Sequence, residues 1–222
     1  MKRITLFAGH YGSGKTNLAV NYALTTASMG IKTLIADLDI VNPYFRTRDS
    51  EKELERAGVR IIVSPYANSN VDVPALPDEM YAVTDDKSYH CVIDVGGDDR
   101  GALALGRLSP AIKAEGDFEM LFVANFYRPL TQSAKAALAV MREIENASGI
   151  SCTGIINNSN LGALTTPGDI ADTHARAMEL ASLSGLPLLA TCAREDLYLQ
   201  TKDIIENVVP IRLHFRGDWA IF

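Results

Sequence analysis

Several features that would assign this chain to other functional classes are scarce or missing. Only three of its 222 residues are cysteines, and Cys91, Cys152 and Cys192 form no C-x-x-C pair and have no histidine at metal-ligand spacing. We therefore expect buried, reduced thiols. No apolar run reaches the roughly 18 to 20 residues of a membrane span, and residues 1–3 lead straight into a strand-like segment rather than a signal peptide. These absences favour a cytoplasmic protein without a transmembrane segment.

An excess of positive charge is also missing. The formal net charge is −6 and the isoelectric point is near 5.2. Nonspecific DNA binding depends on neutralising phosphates with lysine and arginine, so we do not expect DNA to be a partner. The composition, with 47 % hydrophobic and 22 % charged residues, suits one well-buried domain. We expect residues 1–222 to form that single domain.

Apolar runs that alternate with helical stretches predict the fold. Several runs are apolar on nearly every residue, as expected for strands that helices cover on both faces. The pattern predicts an α/β fold of three layers, in which helices enclose a doubly wound, mainly parallel sheet. A late alternation of apolar Ile211, Leu213 and Phe215 with basic residues predicts a half-exposed edge strand. The strand-like runs are 3–8, 32–37, 59–64, 90–95, 118–125, 150–157 and 187–192, and the clearest helices are 130–147 and 169–184.

The most informative stretch is 9–16, which reads G-H-Y-G-S-G-K-T and matches the P-loop pattern G-x-x-x-x-G-K-[ST]. Its glycines allow successive backbone N–H groups to turn toward an anion. Lys15 adds a cation for the β- and γ-phosphates, Thr16 offers a hydroxyl to Mg²⁺, and the following helix directs its positive dipole end at the phosphates. A nucleoside triphosphate with Mg²⁺ is the expected ligand. The residues expected to bind it are Gly9, His10, Tyr11, Gly12, Ser13, Gly14, Lys15, Thr16 and Asn17.

Carboxylates follow two of the predicted strands. Residues 34–39 read L-I-A-D-L-D, and residues 91–97 read C-V-I-D-V-G-G. The carboxyl ends of parallel strands border the crevice where ligands bind in open α/β sheets. Carboxylates there can hold Mg²⁺ through water and orient an attacking water, although each aspartate alone would also suit a strand-end cap. The expected metal site comprises Thr16, Asp37, Asp39 and Asp94.

The order of these motifs resembles the MinD/ParA/Mrp/nitrogenase-iron-protein branch of P-loop NTPases, within the SIMIBI class. The similar stretches are the P-loop at 9–16, A-D-L-D at 36–39, I-D-V-G-G at 93–97, G-I-I-N-N-S at 154–159 and G-L-P-L-L at 185–189. Together they extend from about residue 3 to residue 196. The P-loop alone is specific only to nucleotide binding, whereas the motifs in this order are specific to the branch. The resemblance implies the P-loop NTPase fold.

The resemblance also implies roles for single residues. Lys15 matches the phosphate lysine, and Thr16 matches the Mg²⁺ ligand. Asp39 matches the carboxylate that positions the hydrolytic water, Asp37 a nearby metal-shell carboxylate, and Asp94 the Walker B aspartate. The expected catalytic residues are therefore Lys15, Asp39 and Asp94.

Two further positions concern the nucleotide base and a possible partner subunit. Asn158 matches the asparagine that meets adenine, and 157–160 lacks the carboxylate of an N-K-x-D guanine site, so ATP is favoured over GTP. The branch usually carries a second lysine after the first glycine of the loop, which reaches the nucleotide of a partner subunit. That position is His10, which carries no permanent charge near neutral pH, and the usual glycine after it is Tyr11. A homodimer is implied by the resemblance, but the absent lysine argues against it.

Three functions remain open from the sequence. The leading one is a Mg²⁺-dependent ATPase switch that acts on an unidentified partner through the loops at 41–48 and 96–101, with 125–129 on the same rim. These loops suit ordinary packing equally well. The second is an ATP-dependent ligase or kinase of dethiobiotin-synthetase or cobyrinate-amidase type for a small-molecule partner, with 66–87 as the acceptor pocket. The third is a module that binds nucleotide without hydrolysing it.

Overall fold

A computed structural model describes residues 1–38, 50–63, 78–97 and 99–214, and the structural statements below refer to these residues. The strands are β1 (Ile4–Ala8), β2 (Thr33–Asp37), β3 (Arg60–Val63), β4 (His90–Asp94), β5 (Phe118–Ala124), β6 (Gly154–Asn157), β7 (Leu188–Arg194) and β8 (Val208–Ile211). The α-helices are α1 (Lys15–Ser28), α2 (Glu51–Arg56), α3 (Ala82–Asp85), α4 (Asp99–Glu115), α5 (Ala134–Ser148), α6 (Pro167–Ser184) and α7 (Glu195–Lys202). Short 3₁₀ turns lie at Asp78–Tyr81, Pro129–Thr131 and Gly162–Leu164.

The strands form one sheet in the order β3-β2-β4-β1-β5-β6-β7-β8, and every adjacent pair is parallel. The predicted doubly wound α/β fold is therefore confirmed. β1 lies between β4 and β5, where the strand order changes direction. In open parallel sheets ligands bind beyond the carboxyl ends of the strands at such a point. The loop that follows β1 thus occupies the expected binding position.

Two apolar clusters, one on each face of the sheet, hold the layers together. Alternate strand residues face opposite sides, so Phe7 packs in one cluster while its neighbour Leu6 packs in the other. The first cluster includes residues of α1 and α2, and the second includes residues of α4, α5 and α6. This arrangement explains why the central strands are apolar on nearly every residue.

The helix amino ends differ in one informative way. Ser133 caps α5 by accepting a hydrogen bond from the amide of Ala136, and Thr166 forms a reciprocal capping box with Asp169 on α6. In contrast, α1 begins after Gly14 without any side-chain cap. The first-turn N–H groups of a helix have no intrahelical partner, so those of α1 remain available to a ligand.

The strand predicted from Ile211, Leu213 and Phe215 needs a correction. β8 ends at Ile211, which is buried, and residues 212–214 continue without strand pairing. The backbone of 212–214 instead bonds to side chains of α1. Phe215 lies outside the described residues.

Other expectations agree with the fold. The three cysteines are buried and unpaired. In the segment 66–87, only residues 78–87 are described, and Met80 and Val83 anchor them in the core. Across the described ranges, the helices are all too short or too polar to cross a bilayer.

Arg3 lies at the amino end of β1, opposite the β1–α1 loop, and contacts several neighbouring segments. Its guanidinium forms an ion pair with Glu115 and donates to the carbonyl oxygens of Val83, at 2.9 Å, and Tyr89, at 3.2 Å. Three separate segments are thereby joined at the amino ends of the strands.

Candidate phosphate-binding site

The loop between β1 and α1 has a backbone that only glycines accommodate at three positions. Gly12 has φ 76° and Gly14 has φ 84°, both in the left-handed region that L side chains avoid. At Gly9 a Cβ would lie 2.5 Å from the carbonyl oxygen of Val123 on β5. The loop is closed by a hydrogen bond from the amide of Ser13 to the carbonyl of His10, at 3.0 Å. The sequence pattern therefore forms the turn that a phosphate cradle requires.

Lys15 lies inside this cradle rather than extending into solvent. The residue is 4 % exposed, although it carries an ammonium group. A Cβ added to Gly97, after β4, would lie 2.8 Å from its Nζ and 2.7 Å from the backbone nitrogen of Tyr11. Within the described ranges, no side chain forms a hydrogen bond or ion pair with the ammonium. A buried cation of this kind favours an anionic ligand.

Two carboxylates lie side by side next to the loop. Asp37 ends β2, Asp94 ends β4, and the two residues are register partners in the parallel ladder. Their side chains share the face of Phe7, the α1 face, because each follows an α1-facing residue by two positions. Asp37 is 2 % exposed and Asp94 is fully buried. The structure thus brings together two of the three aspartates that the sequence assigns to the metal.

Thr16 is the third predicted metal ligand that the structure describes. It is the second residue of α1 and is 9 % exposed. Over the residues described, no group of three or more acidic, histidine or cysteine side chains converges as a ready metal cage. One hydroxyl and two carboxylates suit Mg²⁺, which usually keeps several waters and takes few protein ligands. The remaining predicted ligand, Asp39, lies outside the described residues.

Comparisons with known proteins agree with this geometry. No family model and no curated protein sequence matches the chain. Solved structures do, among them chloroplast FtsY from Physcomitrella patens, with TM-score 0.60, 19 % identity and coverage of 86 % of this chain and 58 % of the other. The cell division protein FtsY from Thermotoga maritima has TM-score 0.57 and 18 % identity, with 86 % and 61 % coverage. The signal recognition particle 54 kDa protein from Aeropyrum pernix K1, in complex with GDP, has TM-score 0.52 and 17 % identity, with 85 % and 40 % coverage.

This chain has the P-loop NTPase fold. The all-parallel sheet and the glycine loop after its central strand agree with the fold of these neighbours. The chain spans about three fifths or less of the length of these neighbours. At such low identity the likeness concerns the fold alone.

Asn158 closes the P-loop from the far side. Its amide nitrogen donates to the carbonyl oxygen of Ser13 at 2.8 Å, and a Cβ on Gly14 would lie 2.3 Å from that nitrogen. The side chain that the sequence assigns to the base is thus held against the loop. A cleft lined by Asn160, Thr165 and Arg194 lies beside it.

Asn17 directs its side chain away from the cradle. Its amide donates to the carbonyl of Arg212 and its carbonyl accepts from the amide of His214, both at 3.0 Å. Asn21, one turn later, makes two similar bonds with the backbone of Arg212, at 2.9 and 3.0 Å. Only the backbone amide of Asn17 is therefore left to bind phosphate. The bonds from Asn17 and Asn21 to the backbone of residues 212–214 were not predicted. The sequence signal that could have indicated these bonds is the pair of asparagines, Asn17 and Asn21, spaced four residues apart on one face of α1.

His10 and Tyr11 follow the first glycine of the P-loop. His10 bonds through Nδ1 to the carbonyl of Tyr11, at 3.0 Å, and Tyr11 is 44 % exposed. A carbonyl oxygen only accepts, so Nδ1 carries the hydrogen. In the neutral ring Nε2 then presents a lone pair, which cannot donate to phosphate.

Arg128 touches the P-loop from the turn after β5. Its Nε donates to the carbonyl oxygen of Gly12 at 2.9 Å. Asn125, which is fully buried, also directs its amide at this carbonyl, at 3.4 Å. The sequence places 125–129 on the rim but does not predict this contact. The contact depends on β5 being the neighbour of β1.

Proposed function

We propose that this chain is a Mg²⁺-dependent nucleoside triphosphatase that acts as a nucleotide-controlled switch, with ATP as its nucleotide. Lys15 would hold the β- and γ-phosphates. Thr16, Asp37 and Asp94 would hold Mg²⁺, in part through water, and Asp39 would orient the attacking water. Bound Mg²⁺ would neutralise phosphate charge as the terminal phosphoryl group is transferred.

The observation that carries this proposal is Lys15, which is only 4 % exposed and lies in a glycine loop at an uncapped helix start. Removing a charged group from water is costly unless an opposite charge compensates. A polyphosphate supplies that charge, and the first-turn amides of α1 supply donors for its oxygens. The paired carboxylates of Asp37 and Asp94 then lie where a phosphate-bound cation would be expected.

ATP is proposed on the chemistry of the base site. A guanine base presents N1 and N2 donors whose hydrogen bonds a carboxylate can accept. Residues 157–160 contain no carboxylate. Asn158 would meet the base, as the resemblance to the MinD/ParA/Mrp branch implies. One structural neighbour holds GDP, so the nucleotide must be tested directly.

Binding is tested with fluorescent N-methylanthraniloyl derivatives of ATP and GTP, titrated into the full chain with and without Mg²⁺. We expect ATP to bind more tightly than GTP and Lys15→Ala to weaken binding. Loss of a charge-assisted hydrogen bond costs about 1.5–3 kcal/mol, which corresponds to roughly 10- to 150-fold in the dissociation constant. Lys135→Ala, an exposed position on α5, is the matched control and should bind like the parent.

Turnover is tested by phosphate release. We expect Asp39→Ala to slow hydrolysis more than it weakens ATP binding, because its role concerns the attacking water. Tight binding without phosphate release would instead support a nucleotide-binding module. Absence of binding to both nucleotides would refute the proposal. The ligase or kinase alternative depends on the segment 66–87, of which 66–77 lies outside the described residues.

A further inference from the structure

We propose that Arg128 is the second cation of this site and contacts the phosphoryl group that is transferred. The inference rests on the proposed function. Lys15 is the one permanent positive charge within the phosphate loop, and Arg128 would supply a second positive charge from the same chain.

The need for a second cation follows from the chemistry. The terminal phosphoryl group spreads negative charge over its equatorial oxygens as it is transferred, and positive groups placed in advance stabilise that charge. Lys15 provides one permanent charge within the loop. His10 in its neutral form carries no charge, and its Nδ1 hydrogen is already used by the Tyr11 carbonyl.

Sheet order brings Arg128 to the loop. β5 pairs with β1 up to the register partners Ala8 and Phe122, so the turns that follow the two strands are neighbours. Through its Nε, Arg128 donates to the Gly12 carbonyl at 2.9 Å. A Cβ on Gly12 would lie 3.1 Å from Nε and 3.6 Å from the guanidinium carbon. The guanidinium therefore lies against a glycine, where a larger side chain would crowd it.

The turn that carries Arg128 is fixed by its own hydrogen bonds. Asn125 accepts the amide of Tyr127 through its side chain, at 3.1 Å, and the amide of Arg128 through its carbonyl, at 3.2 Å. Thr131 donates to the same carbonyl at 2.6 Å, and Phe126 bonds to Ser159 at 2.9 Å. A cation held in this way loses little freedom when it binds.

Most of the donors on Arg128 remain available. A guanidinium has five N–H groups, and the bond to Gly12 uses one of them. Among the described side chains, no carboxylate forms an ion pair with Arg128. The remaining N–H groups suit the bidentate recognition of phosphate oxygens.

The step itself balances without a proton from Arg128. Water adds to the terminal phosphorus, and the bond from that phosphorus to the bridging oxygen breaks. The electron pair leaves with the diphosphate, and a proton of the water is released. Arg128 stays protonated throughout and acts only by its charge and its hydrogen bonds.

Arg128→Ala in the full chain tests this role by two readouts, turnover and the binding of a transition-state analogue. We expect phosphate release to fall by about 100-fold or more, since a comparable arginine contributes on the order of 10³ or above. Aluminium fluoride should tighten the binding of fluorescent ADP in the parent, and Arg128→Ala should lose most of that tightening. Affinity for ADP alone should change by less than about threefold, because charge at the transferring group matters little once that group has left.

The controls separate this inference from the proposed function. Arg142→Ala, on exposed α5 surface, should match the parent in both readouts. Arg128→Lys should recover part of the turnover, because it restores charge without the planar fork. The inference is refuted if Arg128→Ala hydrolyses ATP and binds ADP with aluminium fluoride like the parent. It is also refuted if the substitution weakens the binding of ADP alone and of ADP with aluminium fluoride equally. In both cases the triphosphatase proposal stands. If the parent binds no nucleotide, both fail.

Discussion

Gly97 is the point where the segment after β4 meets the phosphate loop, and Gly97→Ala should overpack this contact. Its backbone is not in the left-handed region, so the new methyl group brings no conformational penalty. The effect must come from contact. The Cβ would lie 2.7 Å from the amide nitrogen of Tyr11 and 2.8 Å from Nζ of Lys15, whereas ordinary contacts begin at 3.4 Å.

The structure sets the size of the effect. The Lys15 amine can move away, but the Tyr11 nitrogen is backbone, so the loop must shift by about 0.7 Å, the difference between 3.4 and 2.7 Å. Overpacking of this kind costs about 1–3 kcal/mol, equivalent to a fall in melting temperature of roughly 2–12 °C for a chain of this size. A misplacement near 1 Å can cost about 100-fold in rate, so we expect turnover to fall by roughly 10- to 100-fold.

Thermal unfolding without nucleotide and phosphate release with ATP measure the two effects. Gly106→Ala is the matched control, because it adds the same methyl group inside α4, where the Cβ would lie at an ordinary 3.4 Å from the carbonyl of Ala147. Alanine is the better helix former, so this variant should be neutral or up to about 1 kcal/mol more stable. If Gly97→Ala melts and turns over like the parent, or if both variants lose the same stability, the packing argument is wrong.

Three further predictions concern the scaffold. Thr166→Ala should destabilise the chain by about 0.5–2 kcal/mol in urea unfolding, because the α6 capping box with Asp169 is lost, whereas Thr166→Ser should retain most of it. Burial lowers the pKa of His90, with the amino terminus and Arg3 acting in the same direction, so its neutral form stabilises the fold. That stability is present above about pH 6.5 and is lost as the pH falls toward the folded-state pKa. His90→Gln should therefore reduce the change of the urea midpoint between pH 7 and 5. Burial raises the pKa of the Cys192 thiol to about 12, so iodoacetamide should label it slowly in the native chain and quickly in urea, and fast native labelling would contradict the burial.

The sequence predicts the central part of the fold because the signal there is local. β1, β2 and β4 are buried at every residue and mostly apolar, and their ends fall within one residue of expectation. The glycine loop is equally readable, since its conformation is dictated by residues within it. The strand prediction fails at 212–214, where the backbone bonds to side chains of the distant α1 instead of pairing with a strand.

The arrangement around the candidate site is less readable because it depends on sheet order. Asp37 and Asp94 are 57 positions apart in the chain and become neighbours only because β2 pairs with β4. The contact between Arg128 and Gly12 likewise requires β5 beside β1. A single sequence contains no local signal for either pairing. Motifs therefore identify the candidate residues, and the topology decides which of them meet.

The ion pair of Arg3 with Glu115 and its bonds to Val83 and Tyr89 have a practical consequence. They fasten the amino ends of the strands, opposite the phosphate loop at the carboxyl ends, so that this end offers a reference point. A fluorophore or spin label attached there, for example at exposed Lys2, would report displacements of the opposite rim without disturbing the chemistry. Distances from such a fixed point would show directly whether nucleotide moves the loops.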